Sequence, residues 1–408
     1  MAIELSGITF TDQGDIVPVS GIEEILNTGI TNTLAGDDII TGTGVNNYAR
    51  GILNEFGIIY TSDGNDIIIG IHNKKEESFS GKGIFNAGGT IDTGNGDDII
   101  IGMVTGDFVI GNESYGIQHE QGTIDTGDGN DRITGITQDE SAEGIYCGYS
   151  IIDTGKGNDI ITGSGFTGIN LFISTVTTGD GNDTITGICS DFIYGAGIAS
   201  SGLIDTGDGD DIIAGISNNG TGVYNRNILN TGKGKDSIIS QGKFINSAAL
   251  FLPSGSGGVF LGDGNDSINI TDTDLFSHAL ENFNIIDTGD GKDIITSTGV
   301  IYNQGVINAG NGEDSLIADG GYEGSGNVFL EKGKDYLKGF GTGNFNGGNG
   351  KDILELTSGS YTIGISGTTV NFTKNSIIMN TSEFEQLIAG GTTYNFSSFT
   401  NGQVIFVA

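Results

Sequence analysis

Aspartate and glycine recur together in a nine-residue phrase, and their chemistry is that of a cation-binding turn. Clear copies are TGDGNDRIT at residues 126–134 and TGDGNDTIT at residues 178–186. The last Asp of each copy, here called the anchor Asp, supplies carboxylate oxygens, and the glycines let the backbone turn tightly with its carbonyl groups pointing inward. Such hard oxygen donors suit Ca²⁺, whereas the shortage of Cys and His excludes sites for soft metals.

Thirteen copies of the phrase align on the anchor Asp, at spacings between 33 and 17 residues. The residue two positions before the anchor is Gly in every copy, and the residue two positions after it is Ile or Leu in every copy. We therefore predict that anchor carboxylates and loop glycines form a series of calcium sites. The anchors are Asp38, Asp66, Asp98, Asp131, Asp159, Asp183, Asp211, Asp236, Asp266, Asp293, Asp314, Asp335 and Asp352. The loop glycines in the clearest copies are Gly94, Gly96, Gly127, Gly129, Gly155, Gly157, Gly179, Gly181, Gly207 and Gly209.

The residues around each anchor alternate in the manner of a β-strand with one buried face. The position directly after the anchor varies freely, from Ile67 to Arg132 and Tyr336, while the next position is always aliphatic. Seven residues before the anchor the residue is apolar in twelve copies, with Thr31 as the exception. Each copy thus predicts a strand, an acidic turn and a strand, followed by a looser strand in segments such as 83–91. A unit this small cannot bury a core alone, so the sequence predicts an all-β fold: a right-handed parallel β-solenoid or β-roll of about 13 coils.

Stacking of the coils makes a cation necessary in this interpretation. Coils repeat every ~4.8 Å, and two carboxylates at that distance repel by roughly 3.5 kcal/mol at an effective dielectric constant of ~20. Many copies add a carboxylate just before the phrase, and others add one within it. The first group is Asp92, Asp125, Asp153, Asp205 and Asp287; the second is Asp63, Asp128, Asp180, Asp208, Asp263 and Asp290.

The phrase resembles the calcium nonapeptide GGxGxDxUx of repeats-in-toxin (RTX, haemolysin-type) proteins, over residues 33–354. The resemblance implies that the anchor carboxylate and the loop carbonyls bind Ca²⁺ between stacked loops, and that the chain folds on binding it. The first Gly of the family's motif is usually Thr here, as at Thr93 and Thr126. One phrase per coil also replaces the family's two, so ion sites are expected along one edge only. Loops that contain Lys and the altered first loop at residues 33–38 are expected to bind most weakly.

The ends of the chain lack the phrase. Residues 1–32 predict one or more capping strands, and residues 355–408 predict a β-rich cap with few charges, in which 383–389 is a short helix-like stretch. The start of the sequence lacks the basic and apolar regions of a Sec signal peptide. The resemblance implies type I export directed by an uncleaved C-terminal signal. We therefore expect a secreted or cell-surface protein.

Composition limits the partners of the chain. Its 408 residues include 52 acids and 16 bases, for a net charge of −36, which repels nucleic acids and anionic membranes. The 74 Gly residues do not follow the three-residue period of collagen, and no run of 18 apolar residues predicts a transmembrane helix. Cys147 and Cys189 fit no zinc motif, and the sequence leaves open whether they pair.

Catalytic motifs are absent from the sequence: His119-Glu120 has no second His at zinc-site spacing, and there is no GxSxG or P-loop. The prediction is a non-catalytic, calcium-binding structural or surface protein that associates with itself, matrix or polysaccharide. An adhesin or carbohydrate-binding module is the first alternative, with Tyr115, Tyr146, Tyr149 and Tyr194 as its candidate residues. A solenoid carbohydrate-active enzyme is the second, with Glu76, Glu77, Glu113, Glu140 and Glu143 as candidates. A third is an ice- or crystal-binding surface formed by Thr93, Thr126, Thr154, Thr178, Thr206 and Thr231.

Overall fold

A computed structural model of the chain describes residues 2–18, 23–45, 49–74, 80–106, 114–138, 141–190, 195–247, 257–272 and 278–408. Regular structure there is almost entirely β, with two short 3-10 helices, Leu5–Gly7 and Phe396–Ser398, and no α-helix among these residues. The chain divides into two compact units, Met1–Val223 and Tyr224–Ala408. Each unit is a parallel β-solenoid, which confirms the predicted fold class.

Each coil of the first unit contains three strands. The first strand begins directly after the anchor Asp, the second follows a turn, and the short third strand leads into the next acidic loop. The first strands are Ile39–Gly44, Ile67–Lys74, Ile99–Gly106, Arg132–Thr137, Ile160–Gly165, Thr184–Cys189 and Ile212–Asn225. The second strands are Ile25–Asn27, Arg50–Glu55, Lys82–Ala87, Tyr115–Glu120, Glu143–Gly148, Thr167–Phe172 and Ala196–Ser200. The third strands are Ile30–Asn32, Ile58–Tyr60, Thr90–Asp92, Thr123–Asp125, Ile151–Asp153, Thr175–Thr177 and Leu203–Asp205.

The second unit repeats this plan with shorter coils, and its acidic loops also pair as two-residue strands. Its first strands are Ser237–Asn246, Ser267–Thr271, Ile294–Ser297, Ser315–Ala318, Tyr336–Lys338 and Ile353–Leu356. Its second strands are His278–Asn282, Val300–Asn303 and Tyr322–Glu323. Its third strands are Ile228–Asn230, Gly258–Phe260, Ile285–Asp287, Val306–Asn308, Asn327–Phe329 and Gly343–Asn346. The loop strands are Lys233–Gly234, Asp263–Gly264, Asp290–Gly291, Asn311–Gly312, Lys332–Gly333 and Asn349–Gly350.

Equivalent residues of successive coils stack in register. Ile40 pairs with Ile68, and Ile68 pairs with Ile100, all in parallel strands. The aliphatic residue two positions after every anchor is at most 3% exposed, which confirms the predicted buried column. The residue directly after the anchor faces outward, as Ile160 does at 41% exposure. The alternation read from the sequence is therefore the alternation of the structure.

Glycines bring the first and second strands of the first unit into backbone contact. The residue four positions after each anchor of this unit is Gly, from Gly42 to Gly215. A Cβ at Gly102 would lie 2.2 Å from the carbonyl oxygen of Gly116 on the second strand, and one at Gly135 would lie 2.2 Å from that of Gly144. No side chain fits between the strands at this level. The second unit carries Ser240, Ile270, Ser297, Ala318, Gly339 and Leu356 at the corresponding positions, so the unbroken glycine column belongs to the first unit.

Buried amides stack at the end of the second strands. Asn27 donates to Oδ1 of Asn54, and Asn54 donates to Oδ1 of Asn86, both at 2.8 Å. In the second unit Asn246 donates in the same way to Asn282. These side chains are fully buried and also donate to backbone carbonyls at the turn, which satisfies polar groups that water cannot reach. The sequence analysis did not identify this column, because His119 and Cys147 interrupt it.

The segments at the two ends of the chain pair with the coils. Ile3–Glu4 lies parallel to Ile25–Asn27, and Ile16–Val17 lies parallel to Ile39–Gly44. At the other end Gly359–Ser366, Thr369–Lys374, Ile377–Ser382 and Val404–Val407 form antiparallel pairs, and Gln386–Ala389 pairs with Thr392–Asn395. The helix-like interpretation of residues 383–389 was wrong. Gln386–Ala389 is a strand parallel to Ile353–Leu356, because Leu387 and Ala389 are buried at a two-residue period.

Candidate metal-binding edge

The anchor carboxylates lie inside the coils, at the end of the acidic loop. All thirteen are at most 2% exposed. In eleven pairs of successive anchors, Oδ1 of one anchor accepts a hydrogen bond from the backbone N–H of the preceding anchor, at 2.7 to 2.9 Å, as Asp131 Oδ1 does from Asp98. Asp15 N–H donates to Asp38 at one end, and Asp352 N–H donates to Glu385 at the other. The anchor is thus both a charged group and a structural hydrogen-bond acceptor.

A threonine stands five residues before nine of the thirteen anchors, close to the second carboxylate oxygen. Oδ2 of Asp66, Asp98 and Asp131 accepts no hydrogen bond. Thr61 and Thr93, which precede two of these anchors by five residues, donate to the carbonyl groups of the next coil. The hydroxyl of Thr154 lies 2.6 Å from Oδ2 of Asp159, to which it donates, and 3.5 Å from the carbonyl oxygen of Thr178 in the next coil. A buried carboxylate oxygen without a donor is costly, and a cation in contact with it would remove that cost.

Burial shifts the ionisation of these anchors. Desolvation raises the pKa of Asp98 and of Asp131 to about 7, against the lowering effect of the Thr hydroxyl and of the neighbouring N–H. It raises the pKa of Asp66 to about 6. The carboxylates of adjacent anchors add to the shift: Asp131 raises the pKa of Asp98, and Asp159 raises that of Asp131. Without a cation, the charged form of the array is disfavoured near neutral pH.

The two loop glycines have conformations and surroundings that exclude other residues. The glycine four positions before the anchor has φ between 76° and 90° in the clearest copies, as at Gly127 and Gly207. At Gly129, two positions before the anchor, a Cβ would lie 1.7 Å from the carbonyl oxygen of Gly96 and 3.2 Å from Oδ1 of Asp131. The same two kinds of oxygen surround the equivalent point at Gly312, Gly333 and Gly350. The invariant glycine column therefore marks the points at which successive loops approach too closely for any side chain.

A third set of side chains links the loops on their outer side. The residue directly before the anchor donates its backbone N–H to the equivalent side chain of the preceding coil, in the opposite direction to the anchors. Asn130 N–H donates to Asp97 at 2.8 Å, and Asn158 N–H donates to Asn130 at 2.9 Å. This role was not predicted above, although an Asn or Asp stands before every anchor of the first unit and is the signal for it in the sequence.

The additional acids lie at the surface of the edge. Asp92, Asp125 and Asp153 stack in register at the ends of third strands, and burial together with the next carboxylate raises the pKa of the first two. Asp125 also accepts the N–H of Gly127 at 3.1 Å, which holds the entry to its loop. Asp128 and Asp180 lie in the loops themselves and are exposed. Lys156 lies between them in the stack and pairs with each through a parallel backbone bridge. Lys156 forms a 3.9 Å ion pair with Asp180, so one Lys-containing loop is partly neutralised by its neighbour.

These donors fit calcium if backbone carbonyls supply much of the coordination. Within the described part of the chain, no three His, Cys, Asp or Glu side chains converge on one point. The acidic loops nevertheless bring backbone carbonyl oxygens of successive coils close to the buried anchor carboxylates, as at Gly129 and Asp131, and these are the kinds of donor that Ca²⁺ accepts. The residues that would hold the ion are therefore the loop glycines, through their carbonyl groups, and the anchors. Their role as ligands stays a prediction.

The threonine column does not form a surface. Thr93, Thr126, Thr154, Thr178, Thr206 and Thr231 are all fully buried, so the ice- or crystal-binding interpretation of this column was wrong. The tight turn that begins at the next glycine directs these side chains towards the anchor and the core. Alternation along the strand could not reveal this, because the loop interrupts it.

The other candidate residues are placed as follows. Tyr115 and Tyr146 lie together, with ring centroids 5.6 Å apart, and Tyr149 packs against Phe172 at 5.3 Å. Glu143 accepts a hydrogen bond from Asn170 at 2.8 Å. Tyr194, Glu76, Glu77, Glu113 and Glu140 lie outside the described residues. Cys147 and Cys189 are buried and do not form a disulfide, and burial raises the pKa of Cys147 to about 12.

A comparison with solved structures found similarity to a β-helical protein. A crystal structure of a hyperactive, Ca²⁺-dependent, β-helical antifreeze protein from an Antarctic bacterium aligns with a TM-score of 0.46 and 18% identity, over 98% of this chain and 95% of that chain. No family model matches the sequence, and no curated protein does. No described helix is long and apolar enough to cross a membrane.

Proposed function

We propose that this is a secreted, calcium-binding repeat protein of structural, non-catalytic function, whose solenoid is stabilised by Ca²⁺ bound between successive loops. The observation that supports calcium most is a buried carboxylate oxygen that recurs from coil to coil: Oδ2 of Asp66, Asp98 and Asp131 accepts no hydrogen bond. It lies at the edge where successive loops stack in backbone contact, as Gly129 does on the carbonyl oxygen of Gly96. The resemblance to the RTX nonapeptide supports the same proposal.

The chain's own residues prepare the edge for a cation. Glycines with positive φ direct carbonyl groups along the stack, and Asp125 fixes the loop entry through the N–H of Gly127. The anchor is held by the N–H of the preceding anchor. A bound divalent cation supplies positive charge next to carboxylates that otherwise repel one another. Because the unfolded chain lacks this arrangement, binding stabilises the folded state by mass action.

The test is the thermal stability of metal-free protein titrated with Ca²⁺, with Mg²⁺ as the control ion. We expect the melting temperature to rise continuously with Ca²⁺ and much less with Mg²⁺, because Mg²⁺ demands octahedral geometry and dehydrates reluctantly. Calorimetric titration should show several ions bound per chain. Equal melting temperatures in chelator and in excess Ca²⁺ would contradict the proposal.

Export and surface location belong to the same proposal. They are supported by the resemblance and by the small number of charges in residues 355–408, four in 54 residues. The test is whether this segment, fused to a reporter, directs the reporter into the medium in cells with a type I exporter. Retention of the fusion in the cells would argue against this route.

A carbohydrate-binding role is a second candidate, because the fold brings aromatic side chains together on the outward side of the second strands. Lys82 Nζ lies 5.0 Å from the ring centroid of Phe85 and 5.7 Å from that of Tyr115, which itself contacts Tyr146. Polysaccharide affinity electrophoresis of the protein and of Tyr146→Ala tests this role. Retardation by a polysaccharide that the variant loses would support it, and unchanged mobility in all polysaccharides would exclude these residues.

A further inference from the structure

The outward side of the first strands in the unit of residues 1–223 is almost free of charge. Seven first strands each project three side chains outward, and we call these 21 residues the first-strand face. Eleven of them are Ile, and the only charged one is Arg132. The face consists of Ile39, Thr41, Thr43, Ile67, Ile69, Ile71, Ile99, Ile101, Met103, Arg132, Thr134, Ile136, Ile160, Thr162, Ser164, Thr184, Thr186, Ile188, Ile212, Ala214 and Ile216.

These side chains are at least partly exposed in all but two cases. Ile160 is 41% exposed and Ile212 is 39% exposed, and most of the others are half-buried by their neighbours on the face. Thr134 and Ala214 are the two buried members. Exposed apolar side chains that form one contiguous patch often mark an interaction site.

The other two sides of the same coils are charged. The second strands project Arg50, Lys82 and Glu143, and the third strands end in Asp92 and Asp125. Residues 1–223 contain 33 of the 52 acids of the chain, and none of them belongs to the first-strand face. The side chain of Arg132 lies along its own strand, because its Nε donates a hydrogen bond to Oγ1 of Thr134 at 3.3 Å.

The face is regular because the strands are in register. Ile39, Ile67, Ile99, Arg132, Ile160, Thr184 and Ile212 are direct neighbours across seven parallel strands. At ~4.8 Å between strands and ~3.3 Å per residue, the face measures roughly 29 by 17 Å, or about 500 Å² in projection. Two such faces in contact would cover about 1,000 Å² in projection, close to the lower limit for a specific interface.

We propose that a second copy of this chain packs its first-strand face against this one, as two sheets pack in a sandwich. Rows of β-branched side chains with one spacing match the same rows of another copy after a two-fold rotation, so the surface is complementary to itself. Mutual repulsion disfavours contact between two strongly acidic chains through their charged sides. The uncharged face is where desolvation costs least and apolar burial gains most. The inference rests on the face and not on calcium binding.

The test is sedimentation equilibrium in saturating Ca²⁺, with protein from about 1 to 100 µM, a range that brackets a micromolar dissociation constant. We expect the average mass to rise above the 42.1 kDa of one chain towards twice that value. The variant Ile69→Lys/Ile101→Lys places two ammonium groups in the middle row of the face, on its second and third strands. We expect it to weaken association at least ~10-fold, because each dimer would bury four unpaired charges.

Two further variants make the experiment decisive. Thr90→Lys/Thr123→Lys adds the same charges to third strands of the same coils, and it should leave association unchanged. Ile69→Thr/Ile101→Thr keeps β-branched side chains, so it serves if the Lys variant fails to fold by circular dichroism, and it should also weaken association. A monomer at every concentration, or variants of the face that associate like the native chain, would overturn the proposal. A dimer that persists unchanged in chelator would support the face while counting against calcium.

Discussion

The backbone N–H of Asp131 donates a hydrogen bond to Oδ1 of Asp159, 28 residues further along the chain, at 2.8 Å. The same hydrogen bond, from the backbone N–H of one anchor to Oδ1 of the next, recurs from coil to coil. Each anchor therefore has two roles, of which the sequence indicates only the cation-binding one. It satisfies a buried N–H of the preceding coil, and it places a negative charge at the edge where loop carbonyls meet.

Replacing one anchor in two ways separates these tasks. Asp131→Asn keeps an oxygen acceptor for the N–H of Asp98 and removes the charge. We expect it to leave stability unchanged or higher in chelator, because the burial of a charge is relieved, and to lower stability in Ca²⁺, because a ligand is weakened. Asp131→Ala leaves that N–H without a partner and should cost about 1–3 kcal/mol in both conditions.

Thermal unfolding with and without Ca²⁺ measures both variants, and hydrogen exchange of the Asp98 amide locates the effect. Faster exchange is expected only in Asp131→Ala. If Asp131→Asn lost as much stability in chelator as Asp131→Ala does, the hydrogen bond would not be the structural role of the anchor.

The metal-free protein should be more stable in mild acid than in mild base. Burial raises the pKa of Asp98 and Asp131 to about 7 and that of Asp66 to about 6, above the 3.8 of an exposed Asp. The folded state then binds protons more tightly than the unfolded chain, so this contribution is complete below pH ~4 and disappears as the pH rises through ~6 to 7. Melting temperatures of metal-free protein between pH 5 and 8 should fall with pH.

Saturating Ca²⁺ is the control for this pH dependence, and it should flatten the decline above pH ~6, because the cation favours the charged carboxylates. A metal-free melting temperature that rises steadily from pH 5 to 8 would show that the anchors are not the groups that titrate.

Gly129→Ala should destabilise the fold by about 1–3 kcal/mol or more, since the new methyl group would lie 1.7 Å from the carbonyl oxygen of Gly96 and backbone must move. Gly7→Ala is the matched control, because a Cβ there meets nothing within 4 Å; it should change stability by less than ~0.5 kcal/mol. Chemical denaturation in saturating Ca²⁺ is the measurement. Equal stabilities of the two variants would mean that successive loops are further apart than this structure places them.

Two adjacent isoleucines test the register of the first strand. Ile161 is 1% exposed and Ile160 is 41% exposed. Ile161→Asn should cost several kcal/mol, about 2–5 for lost burial plus the penalty of an unsatisfied amide, whereas Ile160→Asn should cost well under ~1 kcal/mol. Thermal unfolding of dilute protein in Ca²⁺ provides the comparison. Similar losses at both positions would contradict the period of two on which the solenoid rests.

Much of this architecture is determined by the sequence alone. The anchor, the glycine two positions before it and the aliphatic residue two positions after it are separated by fixed numbers of residues, and a strand converts such spacing directly into sides of a sheet. The buried state of Ile161 and the outward direction of Ile160 followed from that spacing. So did the parallel stacking of coils, because a single unit has no core of its own.

Other features were decided only by tertiary structure. Between anchors the spacing varies from 17 to 33 residues, so away from the anchors no count along the sequence shows which residue of one coil meets which residue of the next. The contact of Gly102 with Gly116, the amide column through Asn54 and the inward direction of Thr126 all depend on that meeting and on the geometry of turns. The first-strand face is likewise a property of stacking: single strands show only a few outward Ile or Thr residues, and their alignment across seven coils makes them one surface.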